Sequence, residues 1–515
     1  MYKVFLGLFA CLLFIDPSFS QTVLEDQGEV FFSKKNYNEA LPVYKQLFKM
    51  EPDNYEYNYR LAVCYLKTFS NRAEAIYHLE YITRKNPKNF ETWVLLGKAY
   101  QYSNRYDDAI EAFEKSKLYA KEKSLDIVER EIEICLTAKE LYKYPLDVTF
   151  YNLGSSINSK YPEYYPLIPE DESFMIFTAR KPDIHGGIPE GDGYYPSDIF
   201  MTYPKDGKWI PPKNIGNAVN TSFDEQAVSL AANGQKLLVY LDRVDSLGNI
   251  YFSEKDKTGF KNLIRLPDPV NDGFETSGFL SQDEQVILVA SERPGGYGQK
   301  DIYEITKLPN GKWSMAKNLG TNINTKYNED FPCLSKDGKS LYFASEGHAT
   351  MGGFDIFKSK WNEVERNWSA PENIGFPIND SYDNMNITFA GDSSQAYISS
   401  VKEDSQGDLD IYKVKFNKVT TRYCLITGYI TTDSIESNVK KTILVSRSNS
   451  KEVLKYVPIK KNGKYVMALL PNTYNVVIKA EGYEDITFPY TVYDVPFQPE
   501  VNKDFQLKKI ITKGN

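Results

Sequence analysis

Histidine is nearly absent from this chain. It has three in 515 residues, His78, His185 and His348, and they lie too far apart in sequence to form a ligand-spaced cluster. Histidine is the usual general base and the commonest metal ligand, so metallohydrolase and triad chemistries lose their main component. Cysteine is scarce as well. Beyond Cys11 there remain Cys64, Cys135, Cys333 and Cys424, with no CxxC and no framework spacing. Neither zinc nor a disulfide scaffold is indicated, and the four read as small buried apolar residues. Excess positive charge is missing too: 61 basic against 69 acidic residues give −8, with no basic tract, a poor start for nucleic-acid binding. Past the first twenty residues no apolar run is long enough to span a bilayer, so no membrane span is expected in the mature chain. What is abundant is Tyr (39) and Phe (29), residues of strands and binding surfaces. No cofactor and no metal is expected.

Residues 1–20 read as a secretory signal. Lys3 gives the positive start, Val4 to Ile15 the apolar run, and Ser18-Phe19-Ser20 a small-x-small site before Gln21. Leu8-Phe9-Ala10-Cys11 also loosely resembles a lipobox, so lipidation at Cys11 is the alternative to cleavage before Gln21. Removing the segment takes out one Lys and one Asp and leaves the net charge at −8. An exported protein is expected.

Residues 21–145 carry a helical repeat. Trp93, Leu96, Gly97, Tyr100, Ala109 and Phe113 reproduce the tetratricopeptide pattern W-x-x-L-G-x-x-Y…A-x-x-x-F. Gly97 and Ala109 are small where two helices cross, and the aromatics fill the space around them. The preceding units give Leu61, Ala62, Tyr65, Ala75, Leu79 and Pro87, and before those Gly28, Phe31, Ala40, Tyr44 and Pro52. Each proline closes a repeat where a helix must stop. Leu125 to Tyr142, with Ile127, Ile132, Cys135, Leu136 and Leu141 near helical spacing, reads as a capping helix. First helices of such a stack line a concave groove suited to a peptide or a partner's helix. Projection of the repeat onto that groove selects Glu25, Glu29, Phe32, Glu56, Tyr59, Lys67, Lys98, Gln101 and Tyr102. The competing reading makes these a solvated face and the stack a spacer.

Residues 146–419 turn to short alternating strands in five phased units. An Asn followed three residues later by an aromatic recurs at Asn158, Asn220, Asn271, Asn324 and Asn379. An Asn-Leu/Ile-Gly triplet begins six residues earlier at Asn152, Asn214, Asn318 and Asn373, and the third unit departs from it. An acid-or-Asn, Ile, aromatic triplet begins at Asp198, Asn249, Asp301, Asp355 and Asp410. Pairs such as Asn233-Gly234 and Asp337-Gly338 supply hairpin turns. Four strands per unit describe a β-propeller blade. After Asp410 the fifth unit lacks the Trp-containing strand that follows Asp301 (Trp313) and Asp355 (Trp368), while Val148 to Gly154 stands unclaimed ahead of the first. That segment is expected to complete the last blade and pair its open edge. Five blades follow, or six if the Pro182 to Tyr195 insertion disguises one. The recurring acids read as structural hydrogen-bonding groups, because recurrence in every unit is what such a role produces.

Residues 422–510 alternate without the blade markers and read as a small β-sandwich, with Asn462-Gly463 as a hairpin turn and 511–515 as a tail. Here the residues carry a resemblance. The segment with "KDGKSLYFAS", "GGFDIFKSKW" and "NWSAPENIG" resembles TolB-like, WD-type periplasmic propeller repeats. Gly428, "NGKYVMALLPNTYNVVIKAEGY" and Gly482-Tyr483 resemble the carboxypeptidase-regulatory-like (transthyretin-like) fold. The three modules in this order resemble PorE-type envelope proteins associated with the type IX secretion system. That resemblance implies a periplasmic or outer-membrane-associated protein of a Gram-negative bacterium that docks other envelope proteins. Such proteins typically continue into a peptidoglycan-gripping OmpA-like domain. This sequence carries none, and direct cell-wall anchoring is not expected.

The leading expectation is therefore a non-catalytic scaffold, binding envelope or secretion-system proteins through the helical groove and the propeller face. A glycan- or peptidoglycan-binding module is the alternative, and a propeller-based hydrolase or lyase ranks below both. A propeller enzyme would aim carboxylates or histidines at the axis from non-equivalent blades, and only repeated acids are found.

Overall fold

The computed structural model describes residues 17–68, 71–182, 187–231, 234–243, 246–391, 393–417, 422–432, 439–447, 450 and 452–510. Cys11 and most of the expected signal, His185, Asn233 and the tail lie outside these residues. Seven helices come first: α1 (Pro17–Ser33), α2 (Tyr37–Met50), α3 (Tyr55–Lys67), α4 (Glu74–Lys85), α5 (Phe90–Tyr102), α6 (Tyr106–Lys117) and α7 (Glu122–Leu141). Asn36, Asn54 and Asn89 start α2, α3 and α5, each accepting a backbone N–H three residues on at 3.1–3.2 Å. Each helix packs on the next. At Gly97 a Cβ would stand 2.6 Å from the Phe113 ring, so the α5–α6 crossing admits only glycine there. The buried stripe of α7 is Val128, Ile132, Cys135 and Ala138. Ile127, expected on that face, is 64% exposed, because it sits one position off the stripe.

A propeller-like ring of antiparallel sheets follows. The first sheet is Glu163–Leu167, Met175–Ala179, Asp198–Thr202 and Lys213–Asn214; the third is Glu275–Leu280, Val286–Ser291, Asp301–Thr306 and Lys317–Asn318. Between them the second runs Asp224–Leu230, Lys236–Arg243 and Ser246–Asp256, edged by Gly259–Phe260 and Ile264–Arg265. The fourth is Glu329–Leu334, Ser340–Ser345 and Asp355–Asn362, edged by Asn367–Trp368 and Glu372–Asn373. The fifth takes Thr388–Ala390, Gln395–Ser400 and Asp410–Phe416 from its own stretch of chain. Its outer strand is Val148–Asn152, paired from Val148↔Phe416 to Asn152↔Tyr412. Apolar clusters join each sheet to the next, and one cluster of Phe177, Phe200, Tyr397 and Ile411 joins the fifth back to the first.

The recurring polar residues tie the strands together. In four sheets the outer-strand Asn donates through Nδ2 to the third-strand Asp at 2.6–2.7 Å: Asn152 to Asp410, Asn214 to Asp198, Asn318 to Asp301 and Asn373 to Asp355. Its Oδ1 accepts from the second Asn, six residues on, at 2.8–2.9 Å. That second Asn clamps both backbone groups of the Ile beside the Asp, as Asn158 does at Ile411 and Asn324 at Ile302. The second sheet shows why its unit departs. Asn249 replaces the Asp there, and Arg265 replaces the Asn, donating from Nε to Asn249 Oδ1 at 3.0 Å. A neutral acceptor is met by a cationic donor, and the bond is kept.

In the C-terminal region Cys424–Thr432 pairs antiparallel with Lys464–Leu469 and parallel with Val501–Asn502 and Phe505–Leu507. Lys441–Arg447, between Val453–Tyr456 and Asn472–Ala480, forms a second sheet that Ile486–Val492 completes. Ile426, Tyr465 and Met467 of one sheet and Ile443, Val476 and Ile478 of the other share one apolar cluster. Gly463 turns with φ +75°, and a Cβ there would lie 2.1 Å from the Ile430 carbonyl oxygen.

Candidate partner-binding surface

Eight of the nine groove residues separate into two groups. Five lie toward the start of the stack and form a polar belt across α1, α3 and α5. Glu25 accepts from the Tyr57 hydroxyl, which also receives a bond from Gln21 at 3.0 Å. Glu29 and Glu56 both pair with Arg60, Glu56 at 2.5 Å. The guanidinium carbon stands 5.0 Å from the centre of the Phe32 ring. Tyr59 donates to Glu91 at 2.8 Å, and burial together with that carboxylate raises its pKa far above the ordinary tyrosine value. The Glu29 and Glu56 side chains stay 57% and 54% exposed. Glu29 and Glu56 flank the Arg60 guanidinium. Glu25 and Glu91 on the neighbouring tyrosines add to the acidity of this end, where Phe32 and Tyr59 are half-buried.

The other end is occupied by the chain itself. Tyr102 stacks on Tyr382 from the loop entering the fifth sheet, ring centroids 5.2 Å apart and 11° from parallel. Arg72 covers both rings at 4.2 and 4.4 Å. Gln101 is fully buried; the Ser381 hydroxyl donates to its backbone carbonyl at 3.0 Å, and its side-chain amide has no hydrogen-bond partner. Lys98 pairs with Glu131 of α7 at 2.5 Å. These three were expected to face an open groove, and the expectation is corrected: α7 and the ring cover the end of α5. Lys67 is exposed at the end of α3.

Sequence reasoning also missed the fastening of the stack to both strand-rich regions. Arg130 of α7 donates to the His348 carbonyl at 2.9 Å and to Thr350 Oγ1 at 3.3 Å, and lies over the Tyr327 ring. Lys461 reaches Glu129 at 2.7 Å, and Asn38 donates to Tyr194 of the Pro182 to Tyr195 insertion at 2.8 Å. Tyr106, Ala138, Leu141, Met351, Leu425 and Ala468 form one buried cluster drawn from all three regions. These partners are more than 200 residues apart in several cases, so no local pattern announces them.

Neither described histidine is placed for proton transfer near neutral pH. His78 is buried against Asn58 and pushed down to about 4 by burial, and His348 is lowered by burial as well. Among the described residues no group of three or more His, Cys, Asp or Glu is arranged to hold a metal, and no helix is long and apolar enough to cross a membrane. The first-strand glutamates, another missed signal, stand five residues after the second Asn in three units. Burial pushes Glu163, Glu225 and Glu329 up to about 7 against their Ser and Thr hydrogen bonds.

A tetratricopeptide stack joined to a propeller-like ring of sheets is the class these features define. A family profile described as "Anaphase-promoting complex, cyclosome, subunit 3" matches residues 33–116, within the helical stack. No curated protein matches the chain. Among solved structures it is similar to the TPR2B domain of yeast Sti1 in complex with pHsp70, at 17% identity over 22% of this chain and 92% of that one, TM-score 0.20. The Sgt2 TPR domain from Aspergillus fumigatus is similar at 27% identity over 22% and 80%, TM-score 0.19. TolB from Acinetobacter baumannii is similar at 14% identity over 56% and 70%, TM-score 0.33.

Proposed function

We propose that this chain is a non-catalytic scaffold of a Gram-negative cell envelope, related to PorE-type components of type IX secretion. In this reading it is exported, with residues 1–20 removed before Gln21, and works in the periplasm or at the outer membrane. Its ring is a five-bladed propeller and its last region a carboxypeptidase-regulatory-like sandwich. Three features support a scaffold over an enzyme. The recurring acids are engaged by the chain's own amides and backbone, the described histidines are poorly placed for general-base work, and the three regions are fastened together through α7.

The observation that carries the reading is the split groove: one end holds the ring, and the other presents exposed Glu29 and Glu56 over Phe32 and Tyr59. Such a surface suits a basic segment with an apolar anchor. Envelope co-purification tests it with two variants, Phe32→Ala with Tyr59→Ala, and Glu29→Lys with Glu56→Lys. Each is expected to weaken partner retention by roughly 2 kcal/mol or more, with circular dichroism as the folding control. Folded variants that recover the same partners in the same yield would reduce this end of the stack to a spacer.

A further inference from the structure

Four units carry an aromatic residue five positions before the outer-strand residue of the polar network. These are Trp209 before Asn214, Phe260 before Arg265, Trp313 before Asn318 and Trp368 before Asn373. Each packs into the seam between its own sheet and the preceding one. Trp209 meets Tyr397 of the fifth sheet at 6.3 Å between rings. Phe260 joins the cluster of Ile176 and Ile199, Trp313 that of Leu238 and Tyr240, and Trp368 that of Leu288 and Ile302. In the fifth unit the same position, five before Asn152, is Asp147, and it is exposed.

The seam to which position 147 brings no aromatic of its own lies between the fourth and fifth sheets. It holds a cavity of about 320 Å³, against 270 Å³ beside Phe260 and 210 Å³ beside Trp313. Tyr342, Phe389 and Phe416 wall it, with Tyr342 4.9 Å and Phe416 6.2 Å from Phe389 between ring centroids. Arg422 and Gln498 of the C-terminal region roof it. That volume and this mix of aromatic walls with a few polar groups fit a specific ligand pocket. Where the chain fills such a seam itself, the aromatic arrives on a short strand: Phe260 pairs with Lys255, and Trp368 with Trp361. Tyr423 adds a further aromatic wall from the C-terminal region, and Leu146, beside Asp147, lines the cavity with an aliphatic side chain.

We infer that this seam is a docking pocket for an aromatic side chain, tryptophan by preference, on an extended segment of a partner protein. That segment takes the place the chain's own aromatics take in the other four seams. The pocket lies apart from the helical groove and goes beyond the function proposed above. A flat ring stacks between the aromatic walls, while Arg422 stands at the mouth where the segment's backbone carbonyls would lie.

The probe is the tripeptide Gly-Trp-Gly, titrated into the intact chain with isoleucine methyl groups labelled for NMR. Saturable shifts are expected at Ile374, Ile378 and Ile387, with a dissociation constant on the order of 1 mM for so small a ligand, and none with Gly-Ala-Gly. Asp147→Trp supplies the missing aromatic from within and is expected to weaken the probe at least tenfold. If that variant does not fold, Phe389→Ala decides, with the same expected loss. The groove variant Phe32→Ala with Tyr59→Ala is expected to bind the probe unchanged, so the two proposals fail separately. Absence of saturable shifts overturns the inference, as does unchanged binding in a folded pocket variant. Saturation by N-acetylglucosamine without response to Gly-Trp-Gly also overturns it and makes the seam a sugar site.

Discussion

Asn158→Ala should open the ring where its two ends meet. Asn158 is 2% exposed and makes three bonds across the closure: Nδ2 to Asn152 Oδ1 at 2.8 Å, Nδ2 to the Ile411 carbonyl at 3.0 Å, and Oδ1 from the Ile411 N–H at 2.9 Å. Truncation leaves the acceptors with other partners, since the Gly154 N–H still serves Asn152 and the Leu153 N–H still serves the Ile411 carbonyl. The buried Ile411 N–H is left bare. One orphaned donor costs about 1–3 kcal/mol, and the two other lost bonds about 0.5–1.5 kcal/mol each, for a total of about 2–6 kcal/mol. At roughly 2 °C per kcal/mol for a unit of this size, the melting transition should fall by about 4–12 °C. Thermal unfolding followed by circular dichroism reads this directly. Asn310→Ala is the control, because Asn310 only caps an exposed turn, accepting the Lys312 N–H at 2.9 Å. A fall below about 2 °C, or one matched by the control, would refute the claim that this amide holds the ring shut.

Three more outcomes are open to measurement. Glu329 carries a folded-state pKa raised to about 7, mainly by burial. Its stabilising share is full below about pH 4.5 and is lost as pH rises through about 7, so Glu329→Gln should flatten a pH-dependent loss of up to about 3 kcal/mol seen in wild-type melts. A variant that keeps the wild-type slope would show that another group sets it. Gln101 has a buried amide without a hydrogen-bond partner, so Gln101→Met should be neutral or stabilising, within about 1 kcal/mol; a clear loss in chemical denaturation would contradict this. Tyr382→Ala removes the ring stacked on Tyr102 beneath Arg72. It should cost about 1–3 kcal/mol and speed hydrogen exchange at the end of α5, and unchanged exchange would mean the junction is held elsewhere.

What could be read from the sequence was whatever a short spacing encodes. The α5–α6 pair is legible because Gly97 and Phe113 must meet across one turn, and the closing strand because its Asn152 and Asn158 repeat a spacing found elsewhere. The polar network was visible as recurrence, though its geometry was not. The series Trp209, Phe260, Trp313 and Trp368 was equally visible but had no meaning until the seams were seen. Groove residues Lys98, Gln101 and Tyr102 were misassigned because the repeat pattern describes a helix pair and says nothing about what lies on it. Tyr382 stands 280 residues from Tyr102, and only the assembled chain brings them together.

Closure by Val148–Asn152 also sets an order of events during synthesis. Its partner Asp410–Phe416 is translated last of all the ring's strands. The intervening chain takes roughly 13–50 s to make at roughly 5–20 residues per second. Throughout that interval the helices before it can fold, while their outgoing strand has nothing to pair with. The early-made strand is a debt carried by the growing chain until residue 416 emerges. A premature stop in the last sheet therefore harms the beginning of the ring as much as its end.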